Sequence, residues 1–334
     1  MATDTLLSIA RKCDCSVTTV SRVLSGKAQK YRISESMVQK VLQAARESNF
    51  APNLLAKSLR LGKTDTIGLL IPGVDDTFFA GITSVIISEA RKNGYNIVTV
   101  DTQESEAYEA EGLSTLIARN VDGIIAVPVG KDSGIFKNLK VPVVMVDRYY
   151  PDCTDIDVVK TDDHMGAVMA VDHLYEMGHR NICCIQGNPE AVTSRARVQG
   201  YVEAMKRHGL DKFIRVEGQE FSIVNGYDST KKILSSSGNV PTALFPLSNK
   251  ILLGTIKAIR EKGLSIPDDI SLIAFDDNVL FNYLSPRITC ISQPVQDMAA
   301  TAVQSIINKI SGGEETLMRL LPPDIVVRDS VRKI

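Results

Sequence analysis

The 334-residue sequence has no unbroken apolar run of about 18 residues, the length a membrane-crossing helix requires. Its opening segment, MATDTLLSIARK, has too short an apolar stretch for a signal peptide, so a cytoplasmic protein with no membrane partner is expected. There is no GxGxxG, which removes the dinucleotide-binding fingerprint. Gly62-Lys63-Thr64 imitates the end of a phosphate loop, but the upstream glycine and the preceding strand are missing. The six cysteines (Cys13, Cys15, Cys153, Cys183, Cys184 and Cys290) include no CxxC pair. Cys13 and Cys15 are too close for ordinary zinc spacing, and the Cys183-Cys184 pair sits in an apolar run, as buried thiols do in a reducing compartment. The four histidines, His164, His173, His179 and His208, form no metal-spaced pair, and Ser194 lies in no nucleophile elbow. Neither a catalytic residue, a metal nor a cofactor is expected.

What the chain does have is an uneven charge. Its hydrophobic fraction of 44% and charged fraction of 23% are ordinary for a globular protein. The net charge of −1 hides a division: up to Lys63 there are eleven cations and four anions, a head of +7 on a remainder of −8. A small basic module on an acidic body suits the binding of phosphate backbones.

Within that basic stretch the spacing predicts three short helices. Leu6, Ile9 and Ala10 start the first after Asp4-Thr5. Ser16 is a good N-cap for a second, through Val17, Val20, Val23 and Leu24, which Gly26 stops. Ser34 caps a third, whose apolar positions Val38, Val41, Leu42 and Ala45 follow helical periodicity. Two short helices on a tight turn with a third behind them make a helix-turn-helix, and its second helix enters the major groove by its N-terminal end. Val17 then offers apolar contact to a thymine methyl, Thr18 a donor or acceptor, and Arg22 reaches a guanine or a phosphate. Ser16, Thr19 and Ser21 are placed for phosphate oxygens. The same residues also fit caps and surface positions of an ordinary three-helix bundle; the charge division favours the DNA-reading alternative.

From Thr66 onward short apolar runs alternate with helical stretches. Strands are predicted at 67–71, 95–100, 123–127, 141–146, 181–185, 242–247, 270–275 and 289–293. Helices are predicted at 78–93, 106–119, 164–177, 196–208, 226–235, 251–262 and 296–310. Apolar strands alternating with helices indicate parallel sheets covered on both faces. The strands are too many for one sheet at this length, so two α/β lobes are expected.

Three segments carry a family resemblance: Ser16-Val-Thr-Thr-Val-Ser-Arg-Val-Leu24, Phe50-Ala-Pro-Asn-Leu-Leu-Ala-Lys-Ser-Leu59 and Thr66-Ile-Gly-Leu-Leu-Ile-Pro72. They resemble the lactose-repressor (LacI/GalR) family, in order and over nearly the whole chain. The resemblance implies a helix-turn-helix head at 1–52 and a hinge helix with linker at 53–65. It further implies a two-lobed core like periplasmic sugar-binding proteins, with one lobe at 66–161 with 294–320 and the other at 162–293 with 321–334. It implies that Asn53, Ala56 and Lys57 of the hinge contact operator DNA and that Leu59 wedges into the minor groove, kinking the duplex. The partners implied are double-stranded operator DNA, a second copy of the chain, and a small sugar or sugar phosphate between the lobes, which would set operator affinity.

For that effector the positions matching the family are Phe78, Phe79, Arg148 with its neighbour Asp147, Arg197, Phe221, Ser248 and Asp276. Arginine and aspartate suit hydroxyl pairs, and an aromatic ring suits a sugar face. Phe78 and Phe79 equally fit core positions, and Arg197 with Asp276 equally fit a structural ion pair. Three features depart from the common pattern. Asp14 stands where the turn usually has glycine, the segment Ser25–Ser34 is about three residues longer than usual, and Ser248 stands in the place of an asparagine. The longer basic segment resembles the fructose-repressor branch and tilts the expectation toward a phosphorylated ketose, with Arg148, Arg195 or Lys250 as its cation. Two other readings stand beside this one: a solute-binding protein of a sugar importer, which the basic head disfavours, and a repressor sensing a purine.

Overall fold

The computed structural model describes residues 5–48, 62–236 and 240–334. The chain divides into two units, Met1–Thr64 and Asp65–Ile334.

In the first unit, α1 (Leu6–Cys13) begins at a capping box in which the Thr5 hydroxyl accepts from the Ser8 amide and the Ser8 hydroxyl from the Thr5 amide. Asp14 ends it in the left-handed region at φ 54°, and the next amide, Cys15, donates back to the Ala10 carbonyl at 3.0 Å. An aspartate tolerates this conformation, so the turn forms without glycine. α2 (Val17–Leu24) is capped by Ser16, which accepts from the Thr19 amide at 3.0 Å. α3 (Glu35–Glu47) is capped by Ser34. One face of each helix is apolar, and Ile9, Cys13, Val20, Val23, Val41 and Ala45 close into a single small core. Between α2 and α3 the long basic segment makes one 3-10 turn at Gln29–Tyr31.

The second unit opens with β1 (Thr66–Ile71), α4 (Thr77–Lys92), β2 (Asn96–Asp101), α5 (Glu106–Ala118), β3 (Gly123–Ala126), β4 (Val143–Val146) and β5 (Asp157–Thr161). Next come α6 (Asp163–Glu176), β6 (Ile182–Ile185), α7 (Val192–Arg207), β7 (Arg215–Glu217), α8 (Ile223–Leu234), β8 (Ala243–Pro246) and α9 (Asn249–Glu261). β9 (Ser271–Phe275), β10 (Thr289–Ser292), α10 (Val295–Ile310), β11 (Met318–Leu321) and β12 (Asp324–Val326) complete it. The strands form two sheets, ordered β11-β5-β4-β3-β1-β2 and β12-β10-β9-β8-β6-β7. All pairings are parallel except β12 on β10.

Each sheet is covered on both faces. In β1, Ile67, Leu69 and Ile71 point into a core shared with α4 and α10, whereas Leu70 points to the α5 side, the alternation a two-residue period demands. The second sheet is sandwiched in the same way between α6 with α7 and α8 with α9. α8 and α9 meet backbone to backbone at Gly226 and Gly254, where a Cβ would collide with the Ile251 and Ile223 carbonyl oxygens.

The predicted strands and helices of the core and the three helices of the head are all present, and the hinge helix expected at 53–65 lies largely outside the described residues; β5, β7, β11 and β12 were not foreseen. β5 reads Asp157-Val-Val-Lys-Thr161, a polar string that is nonetheless buried. Its charges are paired inside: Asp157 with Lys309 at 3.3 Å and with the Ser305 hydroxyl, Lys160 with Asp163 at 3.2 Å. The other three are edge strands of three or four residues, partly exposed and therefore without a continuous apolar run.

Candidate DNA-reading face and effector cleft

In the head, Ser16, Val17 and Thr18 are exposed at the start of α2. Among the described residues of the unit, Val17 is one of a few large apolar side chains left in solvent, as an apolar base contact requires. Ser16 is spent on the cap and on the Thr19 hydroxyl at 2.9 Å, so its side chain fixes the helix start. Ser21 and Arg22 are half-buried. The Arg22 guanidinium lies over the Tyr31 ring, 3.8 Å from its centroid. Tyr31 belongs to the long segment between α2 and α3, and the sequence reading had given it no role. The hinge residues Asn53, Ala56, Lys57 and Leu59 lie outside the described residues.

In the core, one cleft collects side chains from the carboxyl ends of strands in both sheets, the position where open α/β sheets bind ligands. The first sheet supplies Asp76, Phe78 and Phe79 after β1, Glu104 after β2, and Asp147 and Arg148 after β4. The second supplies Thr193 and Arg197 from α7, Phe221 after β7, Ser248 and Lys250 after β8, and Asp276 after β9. All seven residues singled out from the sequence therefore line one space. Asp147, named with Arg148 at the end of its strand, and Lys250 line it too, and Asp76, Glu104 and Thr193 join them without having been singled out.

Asp147 and Asp276 hold equivalent places. Each follows the fourth strand of its sheet, and each has a left-handed backbone, at φ 64° and φ 75°. Aspartate tolerates that conformation, and it turns both side chains off the strand ends in the same way. Burial pushes the Asp147 carboxyl up to about 7, with Asp163 adding to the rise and Arg197 and Arg148 opposing it. Burial likewise pushes Asp276 up to about 6, opposed by Arg197 and by the hydrogen bond from Gln293 at 2.6 Å. Burial also raises Asp76, despite its cap on the Phe78 amide at 2.9 Å.

The cations are held differently from the expectation. Arg197 donates through Nε to Asp163 at 2.8 Å and through Nη1 to the Leu247 carbonyl at 2.7 Å, with its guanidinium 3.7 Å from the Phe275 ring centroid. Its direct ion pair is thus with Asp163, and Asp276 is a charge nearby. Arg148 makes two 2.7 Å bonds to Glu104, and its guanidinium lies 5.6 Å from the Phe79 ring and 5.3 Å from the Phe221 ring. Lys250 pairs with Asp75 at 3.0 Å. Arg195 is exposed, donates to the Glu190 carbonyl at 2.8 Å and does not line the cleft, which removes it as an effector cation. Phe78 and Phe79 are edge-to-face at 5.2 Å and serve both roles left open for them: they belong to the core under α4 and also line the cleft.

The family profile described as bacterial regulatory proteins, lacI family, matches residues 5–53, and the periplasmic binding protein-like domain profile matches residues 171–331. The ribose operon repressor of Haemophilus influenzae is 30% identical over 332 residues, 98% of either chain. The chain belongs to the LacI family. Its fold agrees over the full length with a crystal structure of the lac repressor dimer bound to operator and the anti-inducer ONPF, with a TM-score of 0.86 and 26% identity across 98% of this chain and 99% of that one. A LacI-family regulator from Enterococcus faecium with bound ribose matches 80% of this chain and 99% of its own, with a TM-score of 0.73 and 26% identity. This LacI-family chain is accordingly a DNA-binding transcription regulator with a ligand-binding core, and not an enzyme. Among its described residues no helix is long and apolar enough to cross a membrane.

Proposed function

We infer that the protein is a homodimeric repressor acting in the cytoplasm, whose operator affinity is set by a small polyhydroxylated ligand gripped between the two lobes of the core. One observation carries the reading: Arg197, Asp147 and Asp276 converge with Phe79 and Phe221 on a single cleft at the carboxyl ends of both sheets. Carboxylates and a guanidinium bond paired hydroxyls, and the aromatic rings cover an apolar ring face. The head supplies the complementary half, with Val17, Thr18 and Arg22 for base edges and a basic surround for phosphates. The hinge residues Asn53, Ala56, Lys57 and Leu59 take the minor groove, on the family resemblance. The importer reading has no use for such a head.

Dimerisation is supported by an apolar surface on the second lobe. Ile223 and Val224 at the start of α8, Leu253 on α9, and Val279, Leu280 and Tyr283 beyond β9 are exposed, with Tyr283 at 81%. Large apolar side chains gathered on neighbouring elements mark an association surface, and a symmetric pair of heads doubles the readout of one small module.

The test is a fluorescence anisotropy titration of operator DNA with the full chain, in the presence of a panel of sugars, sugar phosphates and purines. A sugar-type ligand is expected to change operator affinity. Arg197→Lys, which keeps the buried charge opposite Asp163 but loses the planar fork, is expected to abolish the response while retaining DNA binding. A purine as sole effector, or an undiminished response in the variant, refutes the reading.

A further inference from the structure

We propose that the ligand of the cleft is an amine-bearing polyol, an amino-sugar-like molecule with a protonated nitrogen, and not a phosphorylated sugar. The proposal rests on the cleft reading above and narrows it to a charge class.

The cations of the cleft are already committed. Arg197 is held by Asp163 at 2.8 Å, Arg148 by both oxygens of Glu104 at 2.7 Å, and Lys250 by Asp75 at 3.0 Å. A phosphate entering this space must strip one of those cations from its carboxylate and leave that carboxylate behind, close to the newly bound anion. Glu104 matters most here, because it converts the arginine that lies over the Phe79 and Phe221 rings into a neutral pair.

The carboxylates are not matched in the same way. Asp76, Asp147 and Asp276 all line the cleft. Among the described residues neither Asp76 nor Asp276 has a cation within ion-pair distance, and Asp147 has only the Nε of Arg148 at 4.0 Å. Two of the three are almost wholly buried, at 4% and 5% exposure. Buried carboxylates that no cation contacts directly are costly to ionise, and a cation that arrives with the ligand relieves that cost.

A second feature points the same way. Arg148 is only 8% exposed, its Nε has no hydrogen-bond partner, and its guanidinium lies over the rings of both Phe79 and Phe221. The two aromatic faces that would cover a sugar ring therefore already accommodate a positive charge. An ammonium on a polyol can approach the same ring faces while its hydroxyls reach Arg197, and its N–H groups can donate to Asp147 and Asp276.

Charge also fixes the proton balance. Asp147 faces Asp163, Arg197, Arg148 and Asp276, and Asp276 faces Arg197, Gln293, Asp76 and Asp163. Both carboxyls are raised toward neutrality by burial, to about 7 and about 6. A bound ammonium favours their ionised forms, so binding near neutral pH releases protons. A bound phosphate favours their protonated forms, so binding takes protons up.

The experiment is titration calorimetry of the full chain at pH 6.5 in two buffers of different ionisation enthalpy, with two matched trios. One is 1-amino-1-deoxy-D-fructose, D-fructose and D-fructose 1-phosphate; the other is D-glucosamine, D-glucose and D-glucose 6-phosphate. In at least one trio the amine is expected to bind ten-fold or more tighter than the parent sugar, with net proton release, and the phosphate weakest. Glu104→Gln, which frees Arg148 and removes a negative charge, is expected to shrink the amine preference and improve phosphate binding. A phosphate that binds tightest, or an amine no better than its parent, overturns this proposal while leaving the sugar reading of the cleft intact. Silence of all six compounds, both in calorimetry and in operator titration, overturns the sugar reading and this proposal with it.

Discussion

Arg22 is the residue of the head whose reach is most clearly prepared in advance, and Tyr31 is the group that prepares it. The guanidinium lies 3.8 Å from the ring centroid, and the tyrosine is 43% exposed, so its removal should cost the head little packing. A cation–π contact at an exposed site is worth about 0.5–1 kcal/mol, and ordering a free long side chain at an interface costs about the same. A symmetric operator engages two heads, so Tyr31→Ala should weaken operator binding by about 1–2 kcal/mol, roughly a 5- to 30-fold loss. Because no charge changes, the slope of log affinity against log salt should stay as it was, and binding to a scrambled duplex should hardly move. Tyr31→Phe keeps the ring and should keep most of the affinity. The assay is anisotropy with operator and scrambled duplexes at three or more salt concentrations. An operator affinity within two-fold of the parent, or an equal loss on both duplexes, refutes the idea that Tyr31 orients Arg22 for base reading.

Three further outcomes are expected. Exchanging Val17 and Thr18 together should change the half-site recovered by selection on random DNA; recovery of the same consensus would mean that the start of α2 does not face the bases. Leu59→Ala should lower specific binding far more than non-specific binding and reduce the bend measured by fluorescence transfer, since unstacking a base step costs a few kcal/mol that only a wedge can repay; an unchanged bend takes Leu59 out of that role. Asp147 and Asp276 should each contribute a loss of stability as pH rises from 5 to 8, against the opposite trend of His173 and His179, which burial pushes down, so the parent should fall relative to Asp276→Asn over that range. Asp276 and Asp147 are raised to about 6 and about 7 in the fold, while an unfolded carboxyl titrates near ~4, so the folded state holds the extra protons and its advantage fades as pH passes through those values. A melting profile of Asp276→Asn that runs parallel to the parent's from pH 5 to 8 contradicts the raised carboxyl.

Much of the fold was legible because its signals are local. Caps at Ser16 and Ser34, helical periodicity in α3 and the apolar runs of β1, β3, β6 and β9 are each written in a few consecutive residues. β5 was not legible because its two charges are neutralised by Lys309 and Asp163, partners that sequence spacing does not reveal as neighbours of a strand. The same reason explains the cleft. Arg197, Phe221 and Asp276 were found by resemblance, whereas Glu104 was missed although it decides what Arg148 can do. Its position in the loop after β2 carried no signal of its own, and only the fold brings it to an arginine 44 residues away. Asp147 was legible at the end of its apolar strand, but its equivalence to Asp276 shows only in the matching strand order of the two sheets. For Tyr31 the unusual length of its segment was visible, but its contact with Arg22 was not.

The contacts across the cleft bear on how ligand and DNA are coupled. Asn249 on α9 donates to the Thr77 hydroxyl at the start of α4 at 2.9 Å, and Lys250 reaches Asp75 at 3.0 Å. Arg148, from the first lobe, lies against Phe221, from the second. A neutral hydrogen bond contributes about 1 kcal/mol, an exposed ion pair about 0–1 and a desolvated cation–π contact about 2. Together these hold the lobes by a few kcal/mol, which is the range a small ligand can supply or remove through its differential contacts. The loop bearing Asp75 and Asp76 leaves the end of β1 and leads into α4, whose first turn carries Phe79. A ligand in the cleft touches residues of both lobes and can therefore favour one lobe arrangement over another. Its preference for one lobe arrangement is then read at the operator as a change in affinity, by linkage and with no dedicated path through the core.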